Sequence, residues 1–183
     1  MTTTDETILA EADAYRNRLV SEGERIAADT DLTVGARTER IEALWREGGL
    51  KLNDYKHRHA EALKVETRRF EFAAVKPPKN DPARMASYRG ALDRAATAHA
   101  EKRLRALLEE AEMTGDEDQA LAAYTVALRE EDTDTADAYL ADRPTRRAAR
   151  DRYMAKAHPA TFEQFEVARV MSVPKRPRVV GNW

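Results

Sequence analysis

From about Gly35 to Val75 the chain runs without a proline, and apolar residues recur at helical spacing: Ile41, Leu44, Trp45, Leu52, Tyr55, Ala62, Leu63, Phe70 and Phe72. Taken as one helix of about forty residues, this stretch reaches roughly 60 Å at 1.5 Å per residue. A helix that long cannot bury both halves in the core of a 183-residue chain. The expectation is that it projects, or pairs with another helix or subunit. Ile41, Leu44, Leu52, Tyr55 and Phe70 form the seam for such pairing, read here as an oligomerisation surface, with Trp45 one wide residue within it. Gly48-Gly49 lies inside the helix and marks a place for a bend or break, since each Gly costs about 1 kcal/mol relative to Ala.

The composition points the same way. Charged residues make up 35% and aromatics only 7%, and there are just 7 Gly and 7 Pro to interrupt the chain. Ala, Glu, Leu and Arg lose little rotamer freedom in a helix, so this alphabet favours long helices bathed in solvent and an all-α fold. No strand is expected. The absence of cysteine rules out disulfides, thiolate chemistry and Cys-based metal sites, and fits a reducing compartment. The N-terminus has neither a basic segment nor an apolar run, so no signal peptide is expected. Nothing approaches the ~18 apolar residues of a membrane span. The expectation is a soluble protein of the cytoplasm.

Helix signals divide the rest. Thr3 and Glu6 have capping-box spacing, and behind them Ile8, Ala12, Tyr15, Leu19 and Ile26 form one stripe on a helix to about Ala28, with Thr33 capping the next. Pro77-Pro78 mark a linker, and Asp81-Pro82 supply an N-cap and a first-turn proline for a third helix, expected to run unbroken to about Met113, where Gly115 stops it. Shorter helices follow over about 116–130, 133–141 and 144–157. Thr161 and Gln164 form a second capping-box pair opening a last helix, in which Phe162 and Phe165 look like core residues. The tail from Ser172 is too rich in proline for helix and should be extended. The resulting domain plan is an elongated helical or coiled-coil region over 1–75, a linker over 76–81, a helical bundle over 82–171 and an extended basic arm over 172–183.

Few residue patterns suggest chemistry. His57 and His59 are two apart, which on a helix points them about 200° away from each other, and no His-Glu-x-x-His set exists, so no metal site is expected. The carboxylates Glu109, Glu110, Glu112, Asp116, Glu117 and Asp118 read as a solvated face, with the last three favoured by a helix N-terminus. There is no Gly-rich phosphate loop and no Ser/His/Asp arrangement. Neither catalytic residues nor a cofactor are expected.

Charge carries more information. Residues 1–142 hold 21 Lys/Arg against 30 Asp/Glu, and residues 143–183 hold 10 against 3, so a net charge of −2 conceals an acidic body with a basic end. Arg146, Arg147 and Arg150 cluster on one helix, and Lys175, Arg176 and Arg178 follow in the tail, which ends at Trp183. Arginines with a terminal aromatic anchor suit docking on an acidic protein surface. Nucleic-acid phosphates are the alternative target, disfavoured by the acidic body and the lack of a recognisable binding fold.

Two stretches carry resemblances. The segment TGDEDQALAAYTVALREE resembles the second helix of a tetratricopeptide repeat through Gly115, Asp116, Ala120, Leu121, Tyr124, Ala127 and Leu128. It departs from that family in lacking a second copy at a period of ~34 residues, and implies a packed helical hairpin. GARTERIEALWREGGLKLNDYKHRHAEALKVETRRF, followed by the proline linker and the RALLEEAEMTGDEDQALAAYTVALREED block, resembles helical structural proteins of tailed phages of actinobacteria. That resemblance implies a non-enzymatic, homo-oligomeric structural or assembly protein, scaffold-like or part of a capsid or head–tail junction. It would work in the host cytoplasm during assembly, or in the virion, and bind other virion subunits through its basic end. The alternative function is a nucleic-acid-binding or regulatory helical protein.

Overall fold

The computed structural model describes residues 4–78 and 81–180, and every regular element among them is a helix. In order these are α1 (Thr4–Ala28), α2 (Val34–Val75), α3 (Pro82–Ala100), α4 (Leu104–Thr114), α5 (Glu117–Arg129), α6 (Thr133–Tyr139), α7 (Pro144–Ala157) and α8 (Thr161–Val170). The all-α expectation holds. No helix is long and apolar enough to cross a membrane among the described residues. The chain divides into two compact units, Met1–Glu66 with Pro159–Trp183, and Thr67–His158. This division differs from the one drawn from sequence. α8 joins the first unit because Val167, Val170 and Met171 pack with Ile8, Ala12 and Tyr55. The last turns of α2 join the second because Phe70, Ala74 and Val75 enter its core.

In the first unit α1 and the first part of α2 form an antiparallel hairpin. Thr33 caps α2 as its spacing predicts, its Oγ1 accepting from Ala36 N at 3.2 Å. Leu19 meets α2 at Gly48, and Gly23 meets it at Trp45. At the far end of the hairpin Thr4 N donates to the Glu66 carboxylate at 3.1 Å. One core gathers Leu19, Ile41, Trp45 and Leu52, and a second gathers Ile8, Ala12, Tyr55, Val170 and Met171. Gly48-Gly49 does not break α2, which is continuous. A Cβ on Gly48 would stand 2.6 Å from Leu19 Cδ2, so the glycine lets two helices approach instead of ending one. Thr3 of the expected capping box lies outside the described residues. At α8 the N-cap is Ala160, without a side-chain cap, where the sequence placed Thr161, and Gln164 Nε2 donates to Pro159 O at 2.9 Å; the side chains of Thr161 and Phe162 lie outside the described residues. Phe165, expected in a core, is exposed.

The second unit is built around α5, on which every residue from Gln119 to Leu128 is buried. α3, α4 and α6 pack against it, and Tyr153 of α7 adds to the same core. A polar side chain on a helix buried on all sides loses its water partners, and two on α5 replace them internally. Thr125 does so through Tyr88, oxygen to oxygen at 2.8 Å, and by donating to Leu121 O at 2.7 Å. Gln119 Nε2 donates to Ala91 O at 3.3 Å, and Gln119 Oε1 accepts from Arg94 Nε at 2.7 Å. Asp81 caps α3 by accepting from Ala83 N and Arg84 N, with Pro82 in the first turn, and Gly115 ends α4 in the left-handed region at φ 71°. The single helix expected from Asp81 to Met113 is instead two. α3 stops at Ala100, Lys102 takes φ 59°, and Arg103 N closes back on Ala98 O at 2.7 Å. No Gly or Pro announces this break. It is made by packing, because α4 must turn Leu104, Leu108 and Ala111 onto α5. α4 and α5 pack against each other across Gly115.

Candidate functional site

The most distinctive arrangement lies in the first unit, where residues 173–180 follow α8 with no regular secondary structure and lie along the α1–α2 hairpin. This strap is seated by named contacts. Val173 is in van der Waals contact range of Gly49, its Cγ2 being 3.5 Å from where a Cβ would stand. The Trp45 indole N–H donates to Pro174 O at 2.8 Å, a buried bond. Pro177 lies against Gly23, and Val179 packs on the Leu19–Ile41–Trp45–Leu52 core. Arg37 ends the series, donating to Val180 O at 3.4 Å and to Ala27 O at 2.9 Å. From Gly49 to Arg37 is about 18 Å along α2 at 1.5 Å per residue. The strap covers that span in seven steps, about 2.6 Å each, which suits an extended, polyproline-like backbone and not a helix.

The pieces of this seat answer one another physically. Trp45 is buried, and an indole N–H taken out of water needs an acceptor, which the carbonyl of Pro174 supplies. Arg37 is only 6% exposed, and its guanidinium donates to the backbone carbonyls of Ala27 and Val180. One of these, Ala27 O, belongs to the last turn of α1, where the helix dipole favours a cation. Beside the strap is a cleft of about 440 Å³ lined by Glu42, Trp45, Arg46, Val173, Pro174 and Arg176. Arg176 reaches Glu42 across it at 3.7 Å, while Lys175 and Arg178 are exposed and form no ion pair among the described residues. The strap therefore turns its prolines and Val179 inward and its cations outward.

The residues singled out from sequence are distributed differently from expectation. Ile41, Leu52 and Tyr55, expected to pair with a second subunit, are buried inside the first unit, with Leu44 packed beside them. Phe70 packs on the core of the second. From Ile41 to Tyr55 these positions are covered by α1, α8 and the strap within one chain. The basic residues are divided between the two units. Arg146, Arg147 and Arg150 belong to the second unit, and Lys175, Arg176 and Arg178 to the first. Of the arginines singled out on α7, two are occupied: Arg146 donates to Val75 O at 2.9 Å and caps the end of α2, and Arg150 pairs with Asp137 at 2.6 Å and with Asp151 at 3.1 Å. Arg147 is exposed and unpaired among the described residues. Trp183 lies outside the described residues.

Gly23, Arg37, Pro174 and Pro177 were not singled out from sequence. A glycine alone in the middle of a predicted helix was the one available signal, since such a residue costs helix stability unless something packs on it. The acidic residues of α4 and α5 pair locally: Glu109 with Arg105, Glu112 with Arg143, and Glu117 and Asp118 with Arg84. The Arg84 guanidinium is held above its ordinary pKa by its bond to Asp118. A stack of side chains completes the second unit. The rings of Tyr124 and Tyr139 lie 4.5 Å apart at 16°, and the Arg143 guanidinium covers Tyr139 at 4.1 Å. Burial pushes the Tyr124 hydroxyl up to about 12.

A comparison with known proteins finds no matching family model, no matching curated protein and no matching solved structure.

Proposed function

We propose that the chain is a non-enzymatic structural or assembly protein, of the kind tailed phages use in building their particles, and that it docks on other subunits through its basic C-terminal strap. The observation that carries this reading is the division of labour along that strap. Its apolar side and carbonyls are spent on the α1–α2 hairpin, and Lys175 and Arg178 face solvent without partners among the described residues. A cation held on a seated segment loses less entropy on docking than one on a free tail, which favours recognition of an acidic surface. The buried polar side chains Gln119, Thr125 and Thr135 are engaged in helix packing and capping, which fits a structural part. The implied place is the host cytoplasm during assembly, or the virion itself.

The test is coexpression of the full chain with the proteins encoded beside its gene. The expected result is a stoichiometric, salt-sensitive complex with one acidic neighbour and assembled particles that contain or require the chain. A chain that stays alone at every salt concentration contradicts the proposal. Tight binding to random duplex DNA with a steep log–log salt slope would instead support the nucleic-acid reading, because the slope counts displaced counterions.

A further inference from the structure

Strap residues Pro174-Lys175-Arg176-Pro177-Arg178 form a P-x-x-P segment followed by an arginine. Grooves that recognise such segments place an aromatic ring against the prolines and exploit a backbone that is extended before it binds. The hairpin presents such a groove: the Trp45 ring and its N–H at Pro174, the Cβ-free surface of Gly23 at Pro177, and the Arg37 guanidinium at Val180 O. We infer that this groove is a binding site for basic P-x-x-P segments, and that its ligand in an assembly is the strap of a second copy of this chain, exchanged for the copy's own.

Three observations select a second copy. The contacts named above for the strap, to Trp45, Gly49, Glu42, Gly23 and Arg37, are all made to α1 or α2, so a neighbour's strap entering the same groove makes the same contacts. Exchange then costs association entropy and no lost interaction, the circumstance in which swapping an identical element between protomers is a cheap route to an oligomer. The strap is joined to α8 through Met171-Ser172, where the helix has already ended and no regular structure must be broken to swing it away. Charge favours the encounter as well. Residues 1–66, which build the groove, carry ten Lys/Arg against fourteen Asp/Glu, while residues 172–183 carry three cations and no acid.

The inference rests on the assembly reading, but the two fail separately. A strap that never leaves its own groove still presents Lys175 and Arg178 to another protein, and reversing those charges leaves the proline contacts in place.

The chain contains no cysteine, so introduced thiols report one contact each. A Cβ on Gly49 stands 3.5 Å from Val173 Cγ2, within reach of a disulfide between cysteines at the two positions. Full-length Gly49→Cys and Val173→Cys chains are mixed, equilibrated at about 1 mM, near the effective concentration of a short tether, and then oxidised. The expected result is a Gly49→Cys/Val173→Cys covalent dimer forming about tenfold faster than one between Gly49→Cys and an Ala86→Cys chain, whose exposed thiol meets its partner only by collision. The double variant Gly49→Cys/Val173→Cys, cross-linked within one chain when dilute, should then fail to dimerise. A mixed dimer no faster than the collision control, with the double variant cross-linking fully within itself, overturns exchange. Failure of the double variant to cross-link overturns the seating of the strap at Gly49, and with it the groove.

Discussion

Gly23 lies so close to Trp45 that a Cβ added to it would stand 2.3 Å from Cζ3 and 2.4 Å from Cη2 of the indole. The same ring donates to Pro174 O on its other business, so a single side chain fixes both the spacing of α1 from α2 and the course of the strap. In an open helix Gly→Ala is a gain of about 1 kcal/mol. At Gly23 the methyl meets a rigid ring on a core residue, and overpacking of that kind costs about 1–3 kcal/mol. Gly23→Ala should therefore destabilise the protein by about 1–3 kcal/mol in urea denaturation. Gly35→Ala, whose Cβ would meet nothing within 4 Å among the described residues beyond its own helix backbone and chain neighbours, should not. Equal effects of the two substitutions would contradict this packing.

Trp45→Phe keeps an aromatic ring and removes the donor to Pro174. The carbonyl is left buried without its partner, at a cost of about 1–3 kcal/mol. The expected outcome is that loss, together with faster tryptic cleavage after Lys175 and Arg178 as the strap lifts from its seat. Unchanged cleavage there would mean that the indole N–H does not hold the strap.

Arg146 and Arg147 are adjacent and chemically identical, yet the structure gives them different tasks. Arg146 caps the last carbonyl of α2 at 2.9 Å, and Arg147 faces solvent. Arg146→Ala should cost about 0.5–2 kcal/mol, and Arg147→Ala should stay within about 0.5 kcal/mol of zero. Thermal denaturation of the two single variants checks the difference in one experiment.

Tyr124 is fully buried, and its hydroxyl has no hydrogen-bond partner among the described residues. Tyr124→Phe removes an unsatisfied group while keeping the ring stacked on Tyr139, so it should be neutral or stabilising by about 1 kcal/mol. The same hydroxyl makes stability depend on alkaline pH. Its folded pKa of about 12 lies above the ordinary value of 10.0, so the folded state holds the proton more tightly than the unfolded one. That contribution is fully present below pH 10 and is lost as pH rises from 10 toward about 12. Burial raises Tyr88, Tyr139 and Tyr153 in the same direction. Denaturation midpoints across this range should fall in the native protein and fall less in Tyr124→Phe. Parallel curves would place the alkaline loss elsewhere.

Much of the secondary structure was legible because it is written locally. Thr33, Asp81, Pro82, Pro144 and Gly115 act within one turn of their own position, and each sits at the helix boundary it announces. The break at Lys102 was not legible, since Glu101-Lys102-Arg103 contains no residue that disfavours helix and only packing against α5 ends α3 there. Gly48-Gly49 misled in the opposite sense, because its role depends on Leu19, a residue on another helix. The site shows the same limit. The cations of α7 and the tail were visible as charge, but which of them are occupied depends on partners far along the chain: Glu42 for Arg176, Val75 for Arg146, Asp137 for Arg150. Nothing near Trp45 in sequence connects it to Pro174, 129 positions away.

The central claim is that the strap's outward cations are what the chain offers to the rest of an assembly. Full-length Lys175→Glu/Arg178→Glu tests it, because both side chains are exposed and unpaired among the described residues, so the fold should be unchanged. The measurement is the amount of this variant that sediments with assembled particles, relative to the native chain, when each is coexpressed with the neighbouring gene products. A native denaturation curve with incorporation reduced by about tenfold or more is the predicted result, as expected when attraction at a docking face becomes repulsion. Incorporation equal to that of the native chain would contradict the account.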